Sequence, residues 1–158
     1  MHRRSPGKPI LPARQLDVLI HMALGNTYQQ TARALGISVN TVKSSLQKTK
    51  DKLGARGLAH AVALAFRKGL LNLEMVREAA IPCELVPVRE QETLLEQVVA
   101  YMARGYINKE IGVALGFSEQ RVKNFVMSIT RELGARNRVH LVTLALILGL
   151  LDFKNLSV

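Results

Sequence analysis

The 158 residues predict an all-α chain built as two tandem four-helix units, and three observations carry that prediction. Sliding the chain by eighty residues lays KLGARGLAHAVALAFRKGLLNL (Lys52 to Leu73) over ELGARNRVHLVTLALILGLLDF (Glu132 to Phe153). The match runs ungapped from Val18/Val98 to Leu71/Leu151, with about 21 of 54 positions identical. Apolar residues recur at helical spacing, and Ser, Thr, Asn, Gly and Pro stand where helix ends favour them. Composition agrees, with 48% apolar and 22% charged residues, no Trp and few β-branched runs. Units of about 65 to 70 residues are near the lower size for independent folding, so mutual packing or association is an expected source of stability.

The elements follow in order. Residues 1–11 hold Arg3, Arg4 and Lys8 among Pro6, Gly7 and Pro9, an irregular basic arm. From Pro12, Leu16, Leu19, Ile20 and Ala23 form a helical stripe that stops at Gly25. Thr27 caps a second, short helix that ends at Leu35 before Gly36. Ser38 caps a third, Val39 to Leu53, with Val42, Leu46, Thr49 and Leu53 on one face and Gly54 as its stop. A fourth spans about Leu58 to Leu70. The second copy repeats the plan over about Arg89 to Arg104, Asn108 to Leu115, Ser118 to Leu133 and Asn137 to Leu150, with Asn137 a better cap than its counterpart Gly57. Between the copies, LEMVREAA reads as an extension of the fourth helix by a turn or two, and IPCELVP as a linker. The expected division is therefore an arm at 1–11, a first unit at 12–71, a linker at 72–87 and a second unit at 88–153.

A net charge of +10 with a pI near 10.3 favours a polyanionic partner, either nucleic acid or an anionic membrane surface. The charge is unevenly shared: residues 1–75 carry 12 basic and 3 acidic side chains, the remainder 10 and 9, giving +9 and +1. Glu84, Glu90, Glu92 and Glu96 gather at the entry to the second copy. The apolar run from Val139 to Leu151 is far short of the roughly 20 residues that span a bilayer. No apolar stretch follows the basic start, and the single Cys83 suits a reducing compartment, so a soluble, cytoplasmic protein is expected. Enzymatic activity, a cofactor and a metal are not expected. His2, His21, His60 and His140 lack metal-ligand spacing, and neither a glycine-rich phosphate loop nor a flanking carboxylate pair is present. His60 and His140 occupy matched positions near the starts of the fourth helices, where a structural hydrogen bond is the expected role.

Each copy contains a short helix, a tight turn and a longer Ser-capped helix: QQTARALGISVNTVKSSLQKTKDKL and KEIGVALGFSEQRVKNFVMSITREL. So short a turn makes the two helices cross steeply and leaves the second proud of the surface, which is the helix-turn-helix arrangement. In the first copy the polar face of that helix carries Asn40, Thr41, Lys43, Ser44, Gln47, Lys48 and Lys50, opposed by Asp51. Lys and Gln side chains address guanine and adenine edges, while hydroxyl and ammonium groups bind phosphates. An ordinary solvated face is the alternative for such a stripe taken alone; the duplication and the charge favour double-stranded DNA. Nucleic acid that is single-stranded fits less well, because the seven aromatic residues are scattered.

The string ALGIS-x-x-TVK...L...KLGAR...A...A...GLL resembles the LuxR/FixJ-type (GerE-like) helix-turn-helix domain of bacterial transcription regulators. GYINKEIGVALGFSEQRVK in the second copy resembles the same stretch of that family. The resemblance covers both repeats and implies two tandem four-helix helix-turn-helix domains of LuxR/GerE type. It implies that the third helix enters the major groove and that the fourth pairs with its equivalent in a dimer. Carried over by position, Lys43, Ser44 and Gln47 face bases in the first copy, and Lys123, Asn124 and Met127 in the second. Thr41, Arg121 and Lys109 then lie near phosphates. The chain departs from the family where Pro12 and Gln15, or Glu92 and Leu95, replace a Thr-x-x-Glu opening, where Arg121 replaces Thr, and where Phe125 and Met127 stand in place of polar residues. Sensor domains that precede this module in the family have no room here, so control is expected from abundance, a partner or association.

The fourth helices differ: Arg67 and Lys68 in the first copy match Ile147 and Leu148 in the second. A helix apolar all round needs a second burial surface. Leu144, Ile147, Leu148 and Leu151 are the expected dimerisation residues, pairing with a second chain to give a homodimer; a pseudo-dimer within one chain and a purely internal core are the alternatives. About 15 linker residues reach roughly 50 Å, more than the roughly 34 Å of one DNA turn, so both units can engage adjacent half-sites. The competing expectation is an adaptor whose first unit binds DNA while the second docks another regulator or an RNA polymerase subunit.

Overall fold

The structure, a computed structural model, describes residues 11–77 and 92–152. The basic arm up to Ile10, Cys83, Glu84 and Glu90 lie outside the described residues. Those described form nine helices and no strand. The first unit comprises α1 (Ala13–Ala23), α2 (Tyr28–Leu35), α3 (Val39–Leu53), α4 (Leu58–Arg67) and α5 (Leu73–Val76). The second comprises α6 (Glu92–Ala103), α7 (Asn108–Leu115), α8 (Glu119–Glu132) and α9 (Arg138–Ile147).

Local chemistry accounts for the boundaries. Thr27 and Gln30 form a full capping box on α2: the Thr27 hydroxyl accepts the Gln30 N–H at 3.1 Å and the Gln30 side chain accepts the Thr27 N–H at 2.8 Å. On α7 only half of the box survives, because Ile107 has no acceptor; Glu110 takes the Ile107 N–H at 2.9 Å. Ser38 and Ser118 cap α3 and α8 through the N–H groups of Thr41 and Arg121. Pro12 opens α1 without a side-chain cap bond, as the missing Thr-x-x-Glu pattern leads one to expect.

Two boundaries differ from the sequence expectation. The helix α4 stops at Arg67, because Gly69 adopts a left-handed φ of 70° and the Leu70 N–H turns back to the Ala65 carbonyl at 2.8 Å. The stretch LEMV is consequently a separate helix, α5, capped by the Asn72 side chain, and its buried Val76 accompanies packing of α5 on α1. Gly149 ends α9 in the same way at Ile147.

The buried apolar residues of both units form one core. Helices α4 and α9 pack on each other, with α1 against α9 and α4 against α6 on either side, a two-fold-like arrangement of the copies. Residues 140–146 of α9 are all buried within this one chain. Leu144 and Leu151 are buried, while Ile147 and Leu148 are half-buried. The charged pair on α4 was the reason to expect α9 to prefer a second chain, and the packing removes that reason. Arg67 is exposed and Lys68 half-buried, whereas Ala59, Ala61, Val62, Ala63, Ala65 and Phe66 supply buried apolar surface. No helix is long and apolar enough to cross a membrane among the described residues.

Candidate nucleic-acid interface

In the first unit, α2 and α3 pack closely around the turn at Gly36 and Ile37, where the Ile37 N–H reaches the Ala32 carbonyl at 3.0 Å. The inner face of α3 holds Val42, Ser45, Leu46, Thr49 and Leu53. That anchors the helix by one side and leaves Asn40, Thr41, Lys43, Ser44, Gln47 and Lys48 exposed on the other. Thr41 is held close to the helix start by a 2.8 Å contact with the Ser38 hydroxyl, beside the backbone N–H groups that favour an anion. Gln47 donates to Asp51 at 2.9 Å, one turn on.

The second unit presents Lys109, Arg121, Lys123, Asn124 and Met127 as exposed residues of α7 and α8. Its chemistry differs from that of the first. The Arg121 guanidinium lies over the Phe117 ring at 4.0 Å, and Asn124 accepts from Gln120 at 2.8 Å. Phe125 does not belong to this outer face. It is half-buried and packed against the core, at the position matched by buried Ser45, because the helical period turns that position inward. Ile107, Val113 and Met127 are 60%, 81% and 53% exposed, where the first copy carries Thr27, Arg33 and Gln47.

The repeated LGAR-x-x-x-His string is spent on joining the units. The Arg56 N–H donates to His60 Nδ1 at 3.1 Å, and the Arg136 N–H to His140 Nδ1 at 3.0 Å, so both rings have the expected structural role. Each ring then backs against a glycine of the opposite unit. A Cβ on Gly25 would lie 2.8 Å from His140 Cγ, and one on Gly105 would lie 2.8 Å from Arg56 Cβ and 3.1 Å from His60 Nδ1. The contacts continue in pairs. Arg56 Nη2 donates to Glu110 Oε1 at 2.7 Å, with its guanidinium 5.0 Å from the Tyr106 ring centre. On the other side Arg136 Nη1 donates to Asn26 Oδ1 at 3.3 Å, and Asn137 Nδ2 to the Gly25 carbonyl at 3.0 Å. Asn137 also caps α9 through the His140 N–H. The Arg56–Glu110 pair is partly exposed and orients the seam more than it stabilises it. Arg138, half-buried, donates to Asn108 and to the Tyr106 carbonyl, and its burial pulls its pKa below the usual arginine value.

Sequence reasoning missed the partners across the seam, since Gly25 and Asn26 lie 110 or more residues before Arg136 and Asn137 in the chain. Their only signal was that LGAR, His and the turn glycines had been retained together in both copies. The same seam opens, on the α4 and α6 side, into a groove of about 510 Å³ lined in part by Arg56, His60, Arg67, Lys68, Arg104 and Tyr106. Burial, and secondarily Arg56, hold the His60 pKa below its ordinary 6.5. The unfolded chain therefore takes up a proton first. Stability from this site is complete above about pH 6.5 and is lost as the pH falls from there toward the folded value. Unfolding midpoints should fall on acidification from about pH 7.5 to about pH 5, and less so in His60→Gln. Glu110, whose pKa is lowered by the Ile107 N–H and then by Arg56, loses its contribution only below its own ordinary 4.5.

A short helix, a glycine turn and a longer Ser-capped helix with an exposed polar face, present twice, define a tandem helix-turn-helix protein. The family model for bacterial regulatory proteins of the luxR family matches residues 9–65 and 95–145. The chain belongs to that family, in two copies. It is 39% identical over 70 residues to a probable transcriptional regulatory protein NarL of Mycobacterium tuberculosis, covering 44% of this chain and 32% of that protein. Identity to the HTH-type transcriptional activator RamA of Corynebacterium glutamicum is 48% over 61 residues, 39% of this chain and 22% of the relative. The transcriptional activator protein EsaR of Pantoea stewartii subsp. stewartii is 34% identical over 77 residues, 49% and 29% of the two chains. The matched part thus spans about a third or less of these relatives' lengths. No solved structure matches the chain.

Proposed function

We propose that this protein is a transcription regulator that binds duplex DNA through both helix-turn-helix units, on adjacent half-sites that need not be identical. The observation that carries this reading is the exposed face of α3, with Lys43, Ser44 and Gln47 directed outward from a buried stripe. Family membership and the transcriptional relatives support it. The seam supports the two-site part, because it makes one chain the equivalent of a dimer and presents two readers from a shared body. Lys43, Ser44 and Gln47, with Lys123, Asn124 and Met127, are assigned to base edges; Asn40, Thr41, Lys48, Lys109 and Arg121 are assigned to phosphates. With +9 of the +10 charge, the first copy supplies most of the salt-dependent affinity. Such a protein works in the cytoplasm, on the chromosome.

Enrichment of bound fragments from a random duplex library, at physiological salt, tests the reading. The intact chain is expected to select a two-part site, with one half lost in Lys43→Ala and the other in Lys123→Ala. The Lys43→Ala change should weaken the selected site by about 1 to 3 kcal/mol while leaving random DNA less affected. Equal losses on both DNAs would move Lys43 to the phosphate backbone. A second reading, the adaptor, draws on the exposed Ile107, Val113 and Met127 of the nearly neutral second unit. Selection of a single half-site, indifferent to Lys123→Ala, would bring it forward.

A further inference from the structure

The two sides of the seam are built from the same repeat, so every residue lining the groove beside α4 has a counterpart on the α9 side. Three of these counterparts differ in charge. Arg67, Lys68 and Arg104 line the groove, and the matched residues across the seam are Ile147, Leu148 and Leu24. The consequence is visible in the packing. On the α9 side His140 is 1% exposed and Leu144 is buried; on the α4 side His60 and Leu64 are half-buried and line an open groove. One side of the seam is therefore closed with apolar side chains, and the other is open and cationic.

We propose that this groove binds a small phosphorylated molecule, held between α4 of the first unit and the C-terminal end of α6 in the second. A volume of about 510 Å³ suits a ligand of nucleotide size. Arg67, Lys68 and Arg104 place three basic side chains along its wall, beside Arg56, whose guanidinium is paired with Glu110. Guanidinium groups match phosphate oxygens in pairs, with an ammonium as a further point charge. His60 adds a donor: its Nδ1 accepts the Arg56 N–H, which leaves the proton of the neutral ring on Nε2. Leu53, Leu64 and the Tyr106 ring provide apolar wall for the organic part of the ligand. The groove stands apart from the reading face. Leu53 is ten residues beyond Lys43 on the same helix, roughly 15 Å along its axis. A ligand bridging α4 and α6 would tie the two units together and so couple a chemical input to the placement of the two readers.

The test is calorimetric titration of the full chain with inorganic pyrophosphate at constant ionic strength, without DNA, so that its outcome is independent of the two-half-site reading. The expected result is saturable binding of one pyrophosphate per chain, weakened at least tenfold in Lys68→Leu and in Arg104→Leu, which install the residues found across the seam. Lys68→Arg should retain it, and Lys43→Ala should not alter it. Arg67→Gln, at an exposed position, replaces Arg104→Leu if that variant fails to fold, and should also weaken binding. Absence of saturable binding in the intact chain would overturn the proposal, as would binding undiminished by Lys68→Leu. Binding to random duplex is measured on the same variants. Unchanged duplex affinity in Lys68→Leu is expected, whereas a loss there matching the loss of pyrophosphate would assign the groove to the DNA backbone and overturn the small-molecule site.

Discussion

Alanine at Gly25 is expected to destabilise the protein by about 2 to 5 kcal/mol, against about 1 to 2 kcal/mol for alanine at Gly36. Both glycines have left-handed backbone, with φ of 83° and 64°, so both variants carry the conformational cost of a Cβ in that region. They differ in surroundings. Nothing lies within 4 Å of a Cβ on Gly36, whereas one on Gly25 meets His140 Cγ, Cβ and Nδ1 at 2.8 to 2.9 Å. The His140 ring cannot swing aside easily, because it is buried and its Nδ1 is tied to the Arg136 N–H. The excess at Gly25 thus measures the closeness of the two units. Urea midpoints of the two variants check it, and equal losses at the two sites would show that the units do not meet at this turn.

Removing the ring is expected to cost at least as much as crowding it. His140→Ala should destabilise by about 3 to 5 kcal/mol and His60→Ala by about 1 to 2 kcal/mol. In His140→Ala the Arg136 N–H loses its acceptor in a part-buried setting, and a cavity opens between α9 and the Gly25 turn. His60 makes the matching bond, yet it borders the open groove, where water can replace the ring and satisfy the Arg56 N–H. Thermal unfolding of the two variants at about pH 7.5, where both rings are compared away from the acid loss at His60, gives the ranking. A loss at His60 equal to that at His140 would contradict the difference in packing.

Much of the fold was legible along the chain because its signals are local. Thr27, Ser38 and Ser118 are caps whose bonds reach three residues, and Gly36 and Gly54 are stops that act within one turn. The outward face of α3 was legible for the same reason, since the helical period that buries Val42, Leu46, Thr49 and Leu53 turns Lys43, Ser44 and Gln47 the other way. Where the expectation went astray, a local cue competed with another. LEMVREAA has helical composition, but Gly69 two residues past α4 breaks the run and Asn72 starts a new helix. Phe125 looked like a change in the reading face until packing placed it inward.

The sequence by itself determined the duplication, the two helix-turn-helix units, their caps and stops, and the charge imbalance between them, because each is written in periodicity, short-range hydrogen bonding or plain composition. Only the tertiary structure decided what the most strongly repeated string is for. The pairing of α4 with α9, the backing of His140 on Gly25 and of His60 on Gly105, the Arg56–Glu110 bridge and the cationic groove depend on residues tens of positions apart. No short window of sequence carries their relation. Arg67 and Lys68 show the difference most directly: along the chain they argued against α4 as an apolar partner, and in three dimensions they point to the groove while the other faces of α4 make the contact.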